Sequence, residues 1–120
     1  MFYAMLCYHR ESVVCEWSRD KEAEVMEHHG KSLEGLAAKG RLGPVARLMP
    51  TTTAVTLRTG KDYVVLDGPF AETKEQLLGF YVVDCDSLEQ AIEAGKGLVT
   101  EGGALEIRPV DLYRPPAAGK

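Results

Sequence analysis

Phe2-Tyr3-Ala4-Met5-Leu6-Cys7-Tyr8-His9 is the stretch on which the fold turns. Taken alternately, it splits into Phe2, Ala4, Leu6, Tyr8 and Tyr3, Met5, Cys7, His9, and both sets are largely apolar. Neighbouring side chains on a strand point to opposite faces, so two apolar sets mean a central strand covered on both sides. A secretory leader would need a basic segment first and a longer apolar run, whereas here His9-Arg10-Glu11 follows almost at once. Gly79 to Asp84 is a second strand of the same kind, with both alternating sets apolar over Phe80 to Val83.

Glu11 to Trp17 reads as a connection. Ser18 or Asp20 can then cap a helix, and Asp20, Glu22 and Glu24 suit its positive N-terminal end. Met26, His29, Leu33, Leu36 and Ala37 recur at helical spacing on one face, and Gly40 ends the helix as a left-handed cap. Leu42 to Leu48 reads as a strand interrupted at Gly43-Pro44 and broken by Pro50. Thr51 to Arg58 has the Thr- and Val-rich composition of a strand, and Gly60-Lys61-Asp62 turns it into Tyr63 to Asp67. A loop runs from Asp67 through Gln76. Ser87 with Gln90 makes a capping box for a helix with the stripe Leu88, Ala91, Ile92 and Leu98. Gly95 and Gly97 weaken that helix by about 1 kcal/mol each, a cost that points to close packing or an early end. Ala104 to Val110 is the last strand.

The order β-α-β-β-β-α-β is a ferredoxin-like α+β plan with an extra strand segment in the middle: an antiparallel sheet with two helices on one face. Two helices cover one face only, and the other is also apolar. Burial is worth ~25 cal/mol per Å² of apolar surface, and closed two-fold pairs are the commonest oligomers. A homodimer packed sheet on sheet is therefore expected; the plainer alternative is a monomer whose tail or central loop folds across the sheet.

At 120 residues the chain makes one domain, placed at residues 1–112 with a flexible tail over 113–120. The apolar fraction of 45% and charged fraction of 27% are those of a globular protein rather than a disordered one. The net charge of -4 disfavours direct nucleic-acid binding, and no run of about 18 apolar residues suggests a membrane span. Three cysteines, Cys7, Cys15 and Cys85, form no Cys-x-x-Cys pair, and the chain has no Asn to glycosylate. Reduced thiols in the cytoplasm account for this most simply.

His29, between Met26 and Leu33 on the apolar stripe, is the first candidate for chemistry, since imidazole changes charge near neutral pH. The plainer reading is a core histidine bonded to backbone. His28 is rotated by about 100° from it, so the two do not readily share a metal ion, and no metal or other cofactor is expected. Asp67-Gly68-Pro69-Phe70 is the sharpest local feature. As a turn, it explains its own residue types. As a site, it places a carboxylate at a cavity mouth to orient His29 or hold a substrate group. Glu72, Lys74 and Glu75 follow as a solvated face, and Cys7 and Cys85 read as packing residues.

The run Asp67-Gly68-Pro69-Phe70-Ala71-Glu72-Thr73-Lys74-Glu75-Gln76-Leu77, then Gly79-Phe80-Tyr81, resembles the hallmark of DGPF-domain proteins, a branch of the YCII-related family. Thr51-Thr52-Thr53-Ala54 and Glu106-Ile107-Arg108-Pro109-Val110 extend the resemblance over nearly the whole chain. It implies a dimeric α/β barrel. It also implies a His and Asp pair in a cleft, with His29 matching the histidine and Arg41-Leu42 the Arg-Leu that follows it. Asp67 belongs to the DGPF signature. The activity to be expected is cofactor-independent acid–base chemistry on a small molecule, such as dehydrochlorination, by His29 and Asp67. Phe70 and Tyr81 would be pocket walls and Lys74 a substrate contact. Some members resemble partners encoded beside extracytoplasmic-function sigma factors, which implies instead a non-catalytic ligand-binding or regulatory module.

Overall fold

The computed structural model describes residues 1–116. Strands β1 (Phe2–His9), β2 (Leu42–Arg47), β5 (Gln76–Asp84) and β6 (Ala104–Pro109) form one sheet in the order β2-β5-β1-β6. Every pairing in it is antiparallel. The apolar β1 is indeed central, with β5 and β6 on its two sides. Helices α2 (Arg19–Ala38) and α3 (Leu88–Lys96) connect these strands in the ferredoxin-like manner. A four-residue helix, α1 (Glu11–Val14), occupies the expected connection after β1.

The alternation in β1 becomes an alternation in burial. Tyr3, Met5, Cys7 and His9 are buried beneath the helices, while Phe2, Ala4, Leu6 and Tyr8 on the opposite face are only half-buried. Register carries the same division across the sheet. Met5 lies opposite both Tyr81 and Ile107, and Tyr3 opposite Val83. Tyr3, Met5, Val83, Cys85, Ala91 and Leu98 make the core, with Leu33 and Leu36 of α2 packed against it.

The helix ends follow their sequence signals. Ser18 Oγ accepts from the Lys21 amide at 3.0 Å, and Ser87 Oγ from the Gln90 amide at 3.1 Å. Gly40 (φ 69°) closes α2, with its amide bonded to Ala37 and that of Arg41 to Leu36, the paired bonds of a Schellman cap. The two weak positions of α3 are explained by packing. A Cβ on Gly95 would lie 2.9 Å from Leu105 of β6, and one on Gly97 would lie 2.6 Å from Ser32 Oγ on α2.

Several expectations need correction. Four strands separate the long helices, one more than the β-α-β-β-β-α-β order has, and each lies largely within a segment that reads as strand. Two of them, β3 (Val55–Thr59) and β4 (Tyr63–Asp67), pair only with each other in a separate two-stranded sheet. Pro44 removes a donor from the β2 edge and Pro50 turns the chain away from it, so the hairpin finds no ladder there. Thr51–Thr53 is a 3₁₀ turn rather than strand, because the Thr53 amide and hydroxyl both bond back to the Pro50 carbonyl. β5 begins at Gln76, three residues before the expected Gly79. Met26 and Ala37 on α2, and Leu88 and Ile92 on α3, are exposed. The inward surface of α3 is Ala91, Ala94 and Gly95 instead, and Leu98, just past its end, is fully buried. In the segment expected to be a tail, Tyr113 stacks on Phe2 with ring centroids 4.6 Å apart, while residues 117–120 lie outside the described ones.

Candidate functional site

The Ser18 cap sets the rotation of α2 and turns its Val25, His29, Leu33 and Leu36 stripe toward the sheet. His29 is the only fully buried residue of the helix, 7% exposed. Its ring lies between two hydroxyls from distant parts of the chain. Tyr81 on β5 places its OH 3.4 Å from Nδ1, and Thr100, just past α3, places Oγ1 3.4 Å from Nε2. Both bonds are longer than the usual 2.7–3.2 Å, so the ring is held loosely. The Tyr81 and His29 rings meet edge to face at 6.4 Å. Thr100 also neighbours the buried Cys7 thiol on β1, where its hydroxyl offsets part of the rise in pKa that burial causes.

Electrostatically the cluster is neutral. Burial lowers the His29 pKa, and the neighbouring His28 lowers it further. Burial raises the Tyr81 phenol and the Cys7 thiol. His29 therefore rests as a free base at neutral pH, able to take up a proton, with Tyr81 as a donor beside it.

A cleft of about 500 Å³, within the range of small-molecule sites, opens farther along α2 at Glu22, and His29, Tyr81 and Thr100 do not line it. Val14, Trp17, Leu48, Met49 and Leu78 supply apolar walls, and Glu11, Glu22 and Arg47 the charge, the last two paired at 3.4 Å. The cleft and the histidine share a helix surface. Glu22, Met26 and His29 stand at successive turns of α2, and Met26 Sδ lies 3.7 Å from Arg47 Nη1. Arg47 also faces Gly79 in the register, two residues from Tyr81 on the same side of β5. Its charge acts on the Tyr81 phenol, lowering the pKa that burial raises.

The rim of the cleft is pinned by Glu11. Its carboxylate accepts from the Thr51 amide at 2.8 Å and the Thr51 hydroxyl at 2.7 Å, and its own amide donates to Gln76 Oε1 at 2.9 Å. Glu11→Ala leaves two donors without their charged acceptor, so a loss of roughly 1–3 kcal/mol in urea unfolding is expected. Glu11→Gln should recover part of it.

Of the residues singled out from sequence, the fold brings His29 and Tyr81 together. Asp67, Phe70 and Lys74 lie elsewhere. Asp67 ends β4 opposite Val55, exposed, in the separate hairpin sheet; the partners of His29 within the chain are the two hydroxyls. The turn chemistry of its neighbours is plain: Gly68 (φ 97°) donates to Ala54 O at 2.7 Å, and its carbonyl accepts from the Thr56 hydroxyl at 2.8 Å. Phe70 is 76% exposed beside a second, wider groove, and Lys74 is exposed in the following loop. Arg41 braces α3 rather than the site, donating to Asp84 O, Gln90 Oε1 and Asp86. His9 is a satisfied structural histidine: Nδ1 accepts from the Arg10 amide at 2.8 Å, which leaves Nε2–H to donate to Glu101 O at 3.1 Å. Thr100, Arg47 and Trp17 were not singled out. Thr100 carries no local signal, since only the path of the chain after α3 returns it to His29.

Comparison with known proteins adds two findings. The family model of the YCII-related domain matches residues 1–112. An uncharacterised protein of Rhizobium meliloti (strain 1021) is 48% identical over 119 residues, covering 96% of each chain.

Proposed function

The chain belongs to the YCII-related domain family, and from that premise we propose that it is a small acid–base enzyme acting through Tyr81 and His29 on a small aromatic anion held in the Arg47 cleft. The observation that carries this reading is a buried, neutral imidazole whose two nitrogens face only hydroxyls, two turns along the helix from Glu22 in the wall of a cleft of substrate size. The proton inventory is consistent with it. Tyr81 O–H, the more acidic hydroxyl, donates to Nδ1, and Nε2–H then donates to Thr100 Oγ1. A proton leaving the substrate reaches Tyr81 O as the phenolic proton passes to Nδ1, so the phenol is restored and the imidazole becomes charged. Arg47 would hold the anionic group and Trp17 stack on the ring. Asp67 has no part in this arrangement within one chain, and a His29–Asp67 pair would require movement of the hairpin or a second copy.

The reading includes a homodimer closed over the helix-free face, where Leu6, Tyr8, Leu77 and Phe80 are half-buried. It also places the protein in the cytoplasm, on the ground that Cys7, Cys15 and Cys85 are all free. The DGPF resemblance supports a second reading, a docking module for a sigma factor, and the exposed hairpin is the feature that favours it. A sigma-factor-like protein co-purifying from native extract, with no ligand in the cleft, would be its signature.

The test is titration of 4-hydroxybenzoate, benzoate and chlorohydroquinone, followed by the NMR signals of the His29 ring. A saturable shift is expected for at least one probe, weakened about tenfold or more in Arg47→Ala, as for loss of a charge-assisted contact. His29→Gln should retain binding and lose any turnover. No saturable shift at millimolar probe would remove the reading.

Stability carries a separate signature. The folded chain keeps His29 neutral, whereas the unfolded chain takes up a proton near the ordinary value of 6.5. More protons are bound in the unfolded state, so this contribution is complete above that pH and is lost as pH falls through the lowered folded value. Urea midpoints at pH 7.5 and 5.5 should show a larger acid loss in the wild type than in His29→Gln. The difference between the two proteins isolates His29.

A further inference from the structure

The β3–β4 hairpin is apolar and almost wholly exposed. One face carries Val55, Leu57, Tyr63 and Val65, each 61–76% exposed, and the other carries Val64 and Leu66. A lone two-stranded hairpin is marginal in water, and this one borrows little from the main sheet. It stands away from the body. The Cα radius of gyration is 16.2 Å, against about 13.6 Å for a compact chain of this length. Between arm and body runs a groove of about 1100 Å³, with Tyr8 and Leu77 on the sheet side and Val55, Leu57 and Phe70 on the arm side.

We infer that the hairpin is a clasp for a second copy of this chain, which seats in the groove while its own hairpin clasps the first. The inference rests on the proposed dimer over the helix-free face and says how that dimer is locked. The occupant is argued from area and self-complementarity. The exposed apolar side chains of the hairpin and Phe70 offer on the order of 800 Å², the share one partner brings to a standard interface. The same chain carries a second apolar surface that is only half-buried, the sheet face at Leu6, Tyr8 and Phe80. Arm and face are separated by the groove and cannot cover one another within a chain. One two-fold axis matches each arm to the partner's surface and leaves neither wet. A two-stranded ribbon with both faces apolar is also an aggregation liability, which a permanent partner removes.

The experiment is sedimentation equilibrium of the full chain from 1 to 100 µM, beside Leu57→Glu/Val65→Glu. Both positions are exposed, so the double variant should fold, and an unchanged melting temperature of its dilute form will show it. The wild type is expected as a dimer, and the double variant as a 13.2 kDa monomer or a dimer at least 100-fold weaker. Hydrogen exchange should show amides of residues 55–67 protected in the dimer and open on dilution. A wild type that is monomeric throughout overturns both the clasp and the sheet-face dimer. A wild-type dimer that the double variant matches in strength overturns the clasp alone. So do hairpin amides that stay open in the dimer, or that close only when a different protein is added.

Discussion

Gly79→Val is expected to lower the melting temperature by roughly 10 °C or more. Gly79 lies in the middle of β5, in register with Arg47 of the neighbouring β2, which approaches it closely. A Cβ there would press on the Ala46 carbonyl oxygen and lie 3.2 Å from the Arg47 Cα. Both obstacles are backbone, so neither can swing aside as a side-chain tip could. Gly79 also pairs with Cys7, beside the irregularity in the β1–β5 register, so the sheet cannot simply flatten to make room. A branched side chain would force β2 off the sheet at the upper end of the ~1–3 kcal/mol typical of overpacking, or beyond it. Arg47 would move with β2, so ligand binding in the cleft should fall in the same variant. Gly79→Ala should show the same direction with a smaller loss. Differential scanning calorimetry decides the matter, and a Gly79→Val transition within about 2 °C of wild type would mean that β2 does not hold this approach in solution.

Met5→Ala should cost ~2–5 kcal/mol, since it deletes a long side chain at the centre of a close-packed core. Met5 is 0% exposed and lies opposite Tyr81 on one side and Ile107 on the other. Against a total stability of about 5–15 kcal/mol for a domain, that is a large fraction. Urea unfolding should show a lower midpoint with an unchanged slope. Met49→Ala is the control: the side chain is 74% exposed, and its loss should shift stability by no more than about 0.5 kcal/mol. The core deletion also reaches the proposed site, because Tyr81 sits in register with Met5. The His29 ring signals should broaden or shift in Met5→Ala even where the protein remains folded.

The elements that were legible in the chain are those whose signals are local and periodic. β1 and β5 declared themselves as apolar runs, and the caps at Ser18, Ser87 and Gly40 each rest on one residue's hydrogen bond or positive φ. The apolar stripes are wider in sequence than in burial. Periodicity marks a side of a helix, but how much of that side is covered depends on the width of what lies beneath. Leu88 and Ile92 share a rotation range with Ala91 and yet remain exposed, because α3 sits so close to β6 that only Ala and Gly fit between them. The hairpin was legible as two strands joined at Gly60-Lys61-Asp62 but not as an arm, since strand composition says nothing about which edge a strand joins.

The candidate site divides along the same line. His29 could be singled out because an imidazole on an apolar helical stripe is conspicuous within a dozen residues of chain. Tyr81, 52 residues away, is legible only as a pocket wall and not as a partner of the imidazole, and Thr100, 71 residues away, is not legible at all. Alternation and capping chemistry suffice to make β1 a central strand and to orient α2, since both act between neighbours along the chain. Where Asp67 stands relative to His29, and what faces the imidazole, follow from sheet order and from the path of loops. Those depend on contacts among segments far apart in sequence, and no local pattern encodes them.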